Sequence, residues 1–143
     1  SLTIDAGQSI GVCGRTGSGK STLMLSLLRI LTYESGSIFI DDIDIAKVPL
    51  NTLRSNIAII PQDPVLFSLI VRKNLDPFDQ SSDEEIWNAL KQCRLFKKIN
   101  SMENGIMSMV KLGGENFSAG EKQLVCIARA ILRKPRILLL DDL

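Results

Sequence analysis

The chain has 143 residues, 45% of them apolar, enough for one domain with a sizeable core. Its 17 basic and 16 acidic residues are interspersed and leave a net charge of +1, so there is no basic field to hold nucleic acid. No apolar run approaches the roughly 18–20 residues that span a bilayer, and Ser1-Leu2-Thr3-Ile4-Asp5 has neither the basic nor the apolar region of a signal peptide.

Leu2 to Asp5 alternate apolar and polar, Ala6-Gly7 turn, and Ser9 to Cys13 read as a short strand entering a Gly-rich loop. A helix is predicted over Lys20–Leu31, with Leu23, Leu27, Leu28 and Leu31 on one face. Ser35-Gly36 breaks it. Period-two alternation then predicts a strand over Ser37–Asp41 and a second around Ile43 and Ile45, followed by a helical turn at Leu50–Arg54. Ile57-Ala58-Ile59-Ile60, stopped by Pro61, has the continuous apolar character of a strand buried on both faces.

Residues 68–105 turn helical, with Ser82 and Glu85 spaced as a capping box ahead of Ile86, Trp87, Leu90 and Cys93. Another helix starts at Ser118 and ends at Arg133-Lys134-Pro135. Ile137 to Leu140 form an all-apolar strand ending in Asp141-Asp142. Buried strands alternating with helices imply a parallel sheet with right-handed crossovers, interrupted by a helical insertion. Cys13, Cys93 and Cys126 form no CxxC pair, the chain has no histidine, and each thiol lies among apolar neighbours, so all three are expected as reduced core thiols.

Gly14-Arg15-Thr16-Gly17-Ser18-Gly19-Lys20-Ser21 fits the P-loop pattern GxxxxGK[ST], and Thr22 follows. Glycines let the backbone curl so that successive N–H groups face one anion, and a helix N-terminus adds its positive end. Lys20 has the reach for the β- and γ-phosphates of a nucleoside triphosphate, and the Ser21 hydroxyl suits Mg²⁺. Asp141, closing an apolar strand, is the carboxylate that holds magnesium in such a site, often through water. On its own it is equally a strand-terminating residue. Asp142 is a candidate to polarise the attacking water.

These motifs come with three others in a telling order: Ile59-Ile60-Pro61-Gln62-Asp63, then Phe117-Ser118-Ala119-Gly120-Glu121-Lys122-Gln123, then Leu140-Asp141. Together they resemble the Walker A, Q-loop, signature and Walker B motifs of an ATP-binding cassette (ABC) nucleotide-binding domain, over the whole chain. Val71 to Phe78 and Gly114 to Ser118 are similar to the second cassette of multidrug-resistance-associated (subfamily C) exporters. The resemblance implies a P-loop NTPase fold of class α/β: a RecA-like parallel sheet, a small antiparallel part and a helical insertion. It divides the chain into residues 1–67 (core to Q-loop), 68–117 (insertion) and 118–143 (signature helix and Walker B strand), a partial domain incomplete at both ends.

It further implies ATP and Mg²⁺ bound by residues 14–22, with Ser21, Gln62 and Asp141 toward the metal and Gln62 and Asp142 toward the attacking water. Ser118 and Gly120 would cover the ATP of a second cassette in a head-to-tail dimer. Transmembrane domains would carry the small-molecule cargo, placing this chain at the cytoplasmic face of a membrane. Two departures matter. Glu121 stands where the family usually has Gln, and Ser118-x-x-Glu121 is also a capping box. Asp142 stands where the family usually has Glu, one methylene or about 1.5 Å shorter, as in weakly hydrolysing first cassettes. The D-loop, the switch histidine and the adenine-stacking aromatic have no counterpart here, Tyr33 lying beyond the P-loop helix. An exporter ATPase, a non-hydrolysing regulatory cassette and an inactive fragment therefore stay open as readings. A soluble cassette of DNA repair or translation fits poorly with Leu75-Asp76-Pro77-Phe78 and the lack of a basic patch.

Overall fold

The structure, a computed structural model, describes residues 2–141. Asp142, the expected water-polarising residue, lies outside them. The chain forms two compact units, residues 1–48 and 49–143, and each has its own logic.

The first unit opens with a turn in which Gly7 takes φ +80° and Asp5 and Gln8 exchange hydrogen bonds. Residues 2–5 and 9–13 join no strand ladder, contrary to the sequence expectation. A strand exists through its neighbours, and among the described residues these segments meet none. Helix α1 runs Lys20–Leu27, shorter than predicted. It stops because Arg29 adopts a left-handed conformation (φ 50°), and Arg29 N–H and Ile30 N–H donate back to the Ser26 and Leu25 carbonyls as in a Schellman motif. Arginine replaces the usual glycine there. Its guanidinium donates to the Ile45 and Val48 carbonyls at 3.1 and 2.6 Å, which holds the unfavourable backbone in place. Of the predicted leucine stripe only Leu28 is buried, while Leu23 and Leu31 are exposed. Strands β1 (Phe39–Ile40) and β2 (Ile43–Asp44) make a two-residue hairpin whose turn residues, Asp41 and Asp42, both have positive φ.

In the second unit, α2 (Leu50–Ser55) leads into β3 (Ile57–Ile60). Helices α3 (Val71–Leu75), α4 (Asp83–Gln92) and α5 (Phe96–Asn100) follow, and the long α6 (Ala119–Arg133) returns the chain to β4 (Ile137–Leu140). β3 and β4 pair in parallel, Ile57 opposite Ile137 through Ile60 opposite Leu140. The predicted capping box at Ser82 and Glu85 is formed, and α4 ends in a Schellman motif with Arg94 at φ 59°. Val71, Leu75, Ile86, Leu90, Leu95, Ile99 and Val125 make the centre of the core, nearly inaccessible to water. Ala58 and Ile60 of β3 pack on Cys126 and Ala130 of α6. Ile57, on the opposite face of β3 from Ala58 and Ile60, is buried as well, so β3 has buried residues on both faces as expected, broken only at Ile59, while Leu138 and Leu140 of β4 are exposed.

Candidate functional site

The loop at residues 14–19 gets its shape from backbone constraints. Gly17 and Gly19 sit at φ +81° and +95°, a region L-residues rarely enter. A Cβ on Gly14 would meet the Ser18 hydroxyl, which would have to rotate away to admit it. Ser18 N–H donates to Arg15 O at 3.0 Å across the curl. Lys20, first residue of α1, folds back over the loop, its Nζ donating to the Gly14 and Arg15 carbonyls at 2.8 and 3.2 Å. The N-terminus of α1 has Gly19 as its cap, no side-chain capping bond and no acidic residue in its first turn. Its leading N–H groups, with Ser21 and Thr22 beside them, face solvent. Residues 14–22 thus come together as one cationic, N–H-rich cradle suited to a polyphosphate.

Gln62 and Asp141 both follow the carboxyl ends of the β3–β4 pair in the second unit. Because β3 and β4 run in parallel register, their carboxyl ends coincide, and Asp141 N–H donates to Ile60 O at 3.0 Å. Gln62, two residues past Ile60, is exposed, whereas Asp141 is half-buried. In a parallel α/β sheet ligands gather at this edge.

Ser118 caps α6, its hydroxyl accepting from Glu121 N–H at 3.2 Å while Glu121 Oε2 accepts from Ser118 N–H at 2.8 Å. The Glu121 carboxylate also lies 3.8 Å from Lys98 Nζ on α5. The carboxylate of Glu121 is therefore committed to its own helix cap, with a lysine nearby. A Cβ on Gly120 would meet nothing within 4 Å, so the space above it is open.

The family model described as ABC transporter matches residues 1–143. This chain belongs to the ABC transporter family. ABC transporter C family member 12 of Dictyostelium discoideum is 52% identical over 97% of the chain, and ATP-binding cassette sub-family C member 2 of Rattus norvegicus is 50% identical over 97%. A bacterial Atm1-family ABC exporter, solved with ATP bound, matches 90% of the chain with a TM-score of 0.82 and 37% identity. The chain spans 10% and 9% of the two relatives' lengths and 23% of the exporter's.

The expected magnesium ligands of this ABC transporter chain carry the donor chemistry that Mg²⁺ takes. Ser21 and Asp141 offer hard oxygens, and among the described residues no three His, Cys, Asp or Glu side chains gather into a cage. Each of the two, taken singly, is an oxygen donor of the kind a hard divalent cation accepts. The cysteines divide: Cys93 and Cys126 are buried, and burial pushes both thiols up in pKa. Cys13, expected in the core, is exposed because residues 9–13 have no ladder to cover them.

Two residues that the motifs do not reveal hold the segment that follows Gln62. Asn74 is 3% exposed; its Oδ1 accepts from Phe67 N–H at 2.9 Å, and its Nδ2 donates to Phe67 O at 2.9 Å and Leu69 O at 3.2 Å. Arg129 of α6 donates through Nε to Asn74 O (2.6 Å), through Nη1 to Val65 O (2.8 Å) and through Nη2 to Asn74 Oδ1 (3.1 Å). The signal for Arg129 was a lone cation inside the apolar run Leu124–Leu132.

Proposed function

We propose that this chain is the nucleotide-binding part of a subfamily C exporter, most like its second cassette, which binds MgATP and, with a second cassette closed head to tail, hydrolyses it to drive export. The observation that supports this reading is the loop at residues 14–22, where Gly17 and Gly19 take left-handed conformations and Lys20, at the start of α1, folds its Nζ back over the loop. Gly14 to Gly19 bind the phosphate oxygens through backbone N–H groups, and Arg15, Thr16 and Ser18 line the loop. Lys20 takes the β- and γ-phosphates, and Ser21 and Thr22 begin the helix that faces them.

Ser21, Asp141 and Gln62 would hold Mg²⁺, which supplies charge neutralisation on the phosphate oxygens. Gln62 and Asp142 orient the water whose oxygen bonds to the γ-phosphorus as the bond to the bridging oxygen breaks. Ser118 and the open surface over Gly120 act on the ATP held by the partner cassette; among the described residues nothing fills the space where a Cβ on Gly120 would point. Cargo binds the transmembrane domains alone, and the cassette works at the cytoplasmic face.

The test is ATP turnover by the complete exporter with Lys20→Ala as the blank. Mg²⁺-dependent turnover lost in Lys20→Ala supports the reading, and turnover equal to the blank sinks the hydrolytic part. A second reading, a regulatory cassette that holds ATP without hydrolysing it, is favoured by Asp142 in place of Glu. Saturable ATP binding without turnover would select it. If Asp142 limits the rate through its reach, Asp142→Glu raises turnover.

A further inference from the structure

We infer that Arg129 is a positioning residue for Gln62, tying the loop that carries Gln62 to the helix that carries Ser118 so that the two halves of the chemistry are set by one rigid element. The inference rests on the reading of Gln62 and Ser118 above. Residues 61–70 form no helix and, beyond a single bridge from Ile70 to Met109, no strand, so the place of Gln62 depends on what tethers its flanks. On one side it is held by the β3–β4 ladder, which extends through Asp141 N–H to Ile60 O. On the other side the tether is Val65, three residues on, whose carbonyl accepts from Arg129 Nη1 at 2.8 Å. Only Pro61-Gln62-Asp63-Pro64 lie between the two anchors, and two of these four are prolines with fixed φ.

The same guanidinium reaches Asn74 at both its backbone and side-chain oxygens, and Asn74 in turn grips Phe67 and Leu69. A planar fork with donors in three directions can satisfy Val65 and Asn74 together; a lysine ammonium on a flexible stem cannot hold the same plane. A second contact bears on the same loop from the turn ahead of α6. Gly114, at φ +70° just ahead of Ser118, lies so close to Leu66 that a Cβ would come within 3.2 Å of Leu66 Cδ1 and 3.3 Å of its Cβ. From Arg129 to Ser118 is eleven residues of one helix, about 16 Å. A shift of α6 that moves Ser118 against a partner's phosphate is therefore transmitted to Val65 and to the Gln62 loop.

The test is a double-mutant cycle on ATP turnover by the complete exporter. Arg129→Lys is expected to lower kcat about tenfold or more, the range in which small misplacements of a reacting group act, with KM for MgATP within about twofold because no P-loop residue is changed. In a Gln62→Ala background the same Arg129→Lys substitution is expected to change kcat by less than about twofold. An unchanged kcat in the single variant, or an equal loss in both backgrounds, overturns the inference. If Gln62→Ala itself leaves kcat untouched, the reading of Gln62 fails instead, a result separable from the first. Pro64→Gly slackens the same four-residue span without touching the buried network, and is expected to give the same loss of kcat with KM preserved. Full kcat in Pro64→Gly, should Arg129→Lys not fold, counts equally against the tether.

Discussion

At the residue scale, the cradle makes sharp demands. Gly19 sits at φ +95°, where an alanine Cβ is strained whatever the space around it, at a cost of about 1–3 kcal/mol. Gly19→Ala is expected to weaken ATP binding at least tenfold, read by titration of a fluorescent ATP analogue, while leaving the cap at Ser118 intact. The cysteines give a second residue-level outcome. Cys13 is exposed, whereas burial holds Cys93 and Cys126 as protonated thiols out of contact with reagents. Mass spectrometry after brief maleimide treatment of the native protein should find Cys13 labelled first, and equal labelling of all three would show that the core opens. The cradle was legible because its motif prescribes glycines, lysine and hydroxyl at fixed positions. The exposure of Cys13 was not, because local apolar neighbours say nothing about whether a segment finds a ladder.

At the element scale, both capping boxes were readable from Ser-x-x-Glu spacing alone, since the bonds they make span three residues. Ser118→Ala should cost about 1 kcal/mol of stability, seen as a lower Tm, before any effect on a partner's nucleotide. Glu85 tests the other box by pH. Its carboxylate is held below its usual range by the Ser82 N–H and then by Lys134. Since the folded value is depressed, its contribution is full above the unfolded value near 4.5 and is lost as pH falls through the lower folded value. The Tm gap between the protein and Glu85→Gln should therefore shrink below about pH 4; a gap that widens there would contradict the assignment. What local reading missed at this scale was where helices stop. Arg29 and Arg94 terminate α1 and α4 in the left-handed position where glycine is the usual signal. For Arg29 the compensation comes from carbonyls 16 and 19 residues away, a tertiary fact that no window of sequence contains.

At the scale of the whole molecule, the order of motifs was enough to give the α/β class and the family, because each motif is short and its place in a βα alternation is dictated by the chemistry at the strand ends. The pairing of Arg129 with Val65 and Asn74 was invisible, because it joins positions 64 and 55 residues apart through backbone oxygens that have no sequence signature. The central helical core carries much of the stability of the second unit: Leu90→Ala, at a side chain with no measurable exposure, should cost about 2–5 kcal/mol, measured by denaturant titration. The parallel pair of β3 and β4 has a consequence in time. Ile57 pairs with Ile137, 80 residues later in the chain. At roughly 5–20 residues per second of synthesis, β3 is made about 4–16 s before its partner strand. During that interval α3, α4 and α5 can already pack, so the nascent chain carries a bare apolar strand beside a maturing helical core. Guarding that strand is the task this topology sets for the cell's chaperones.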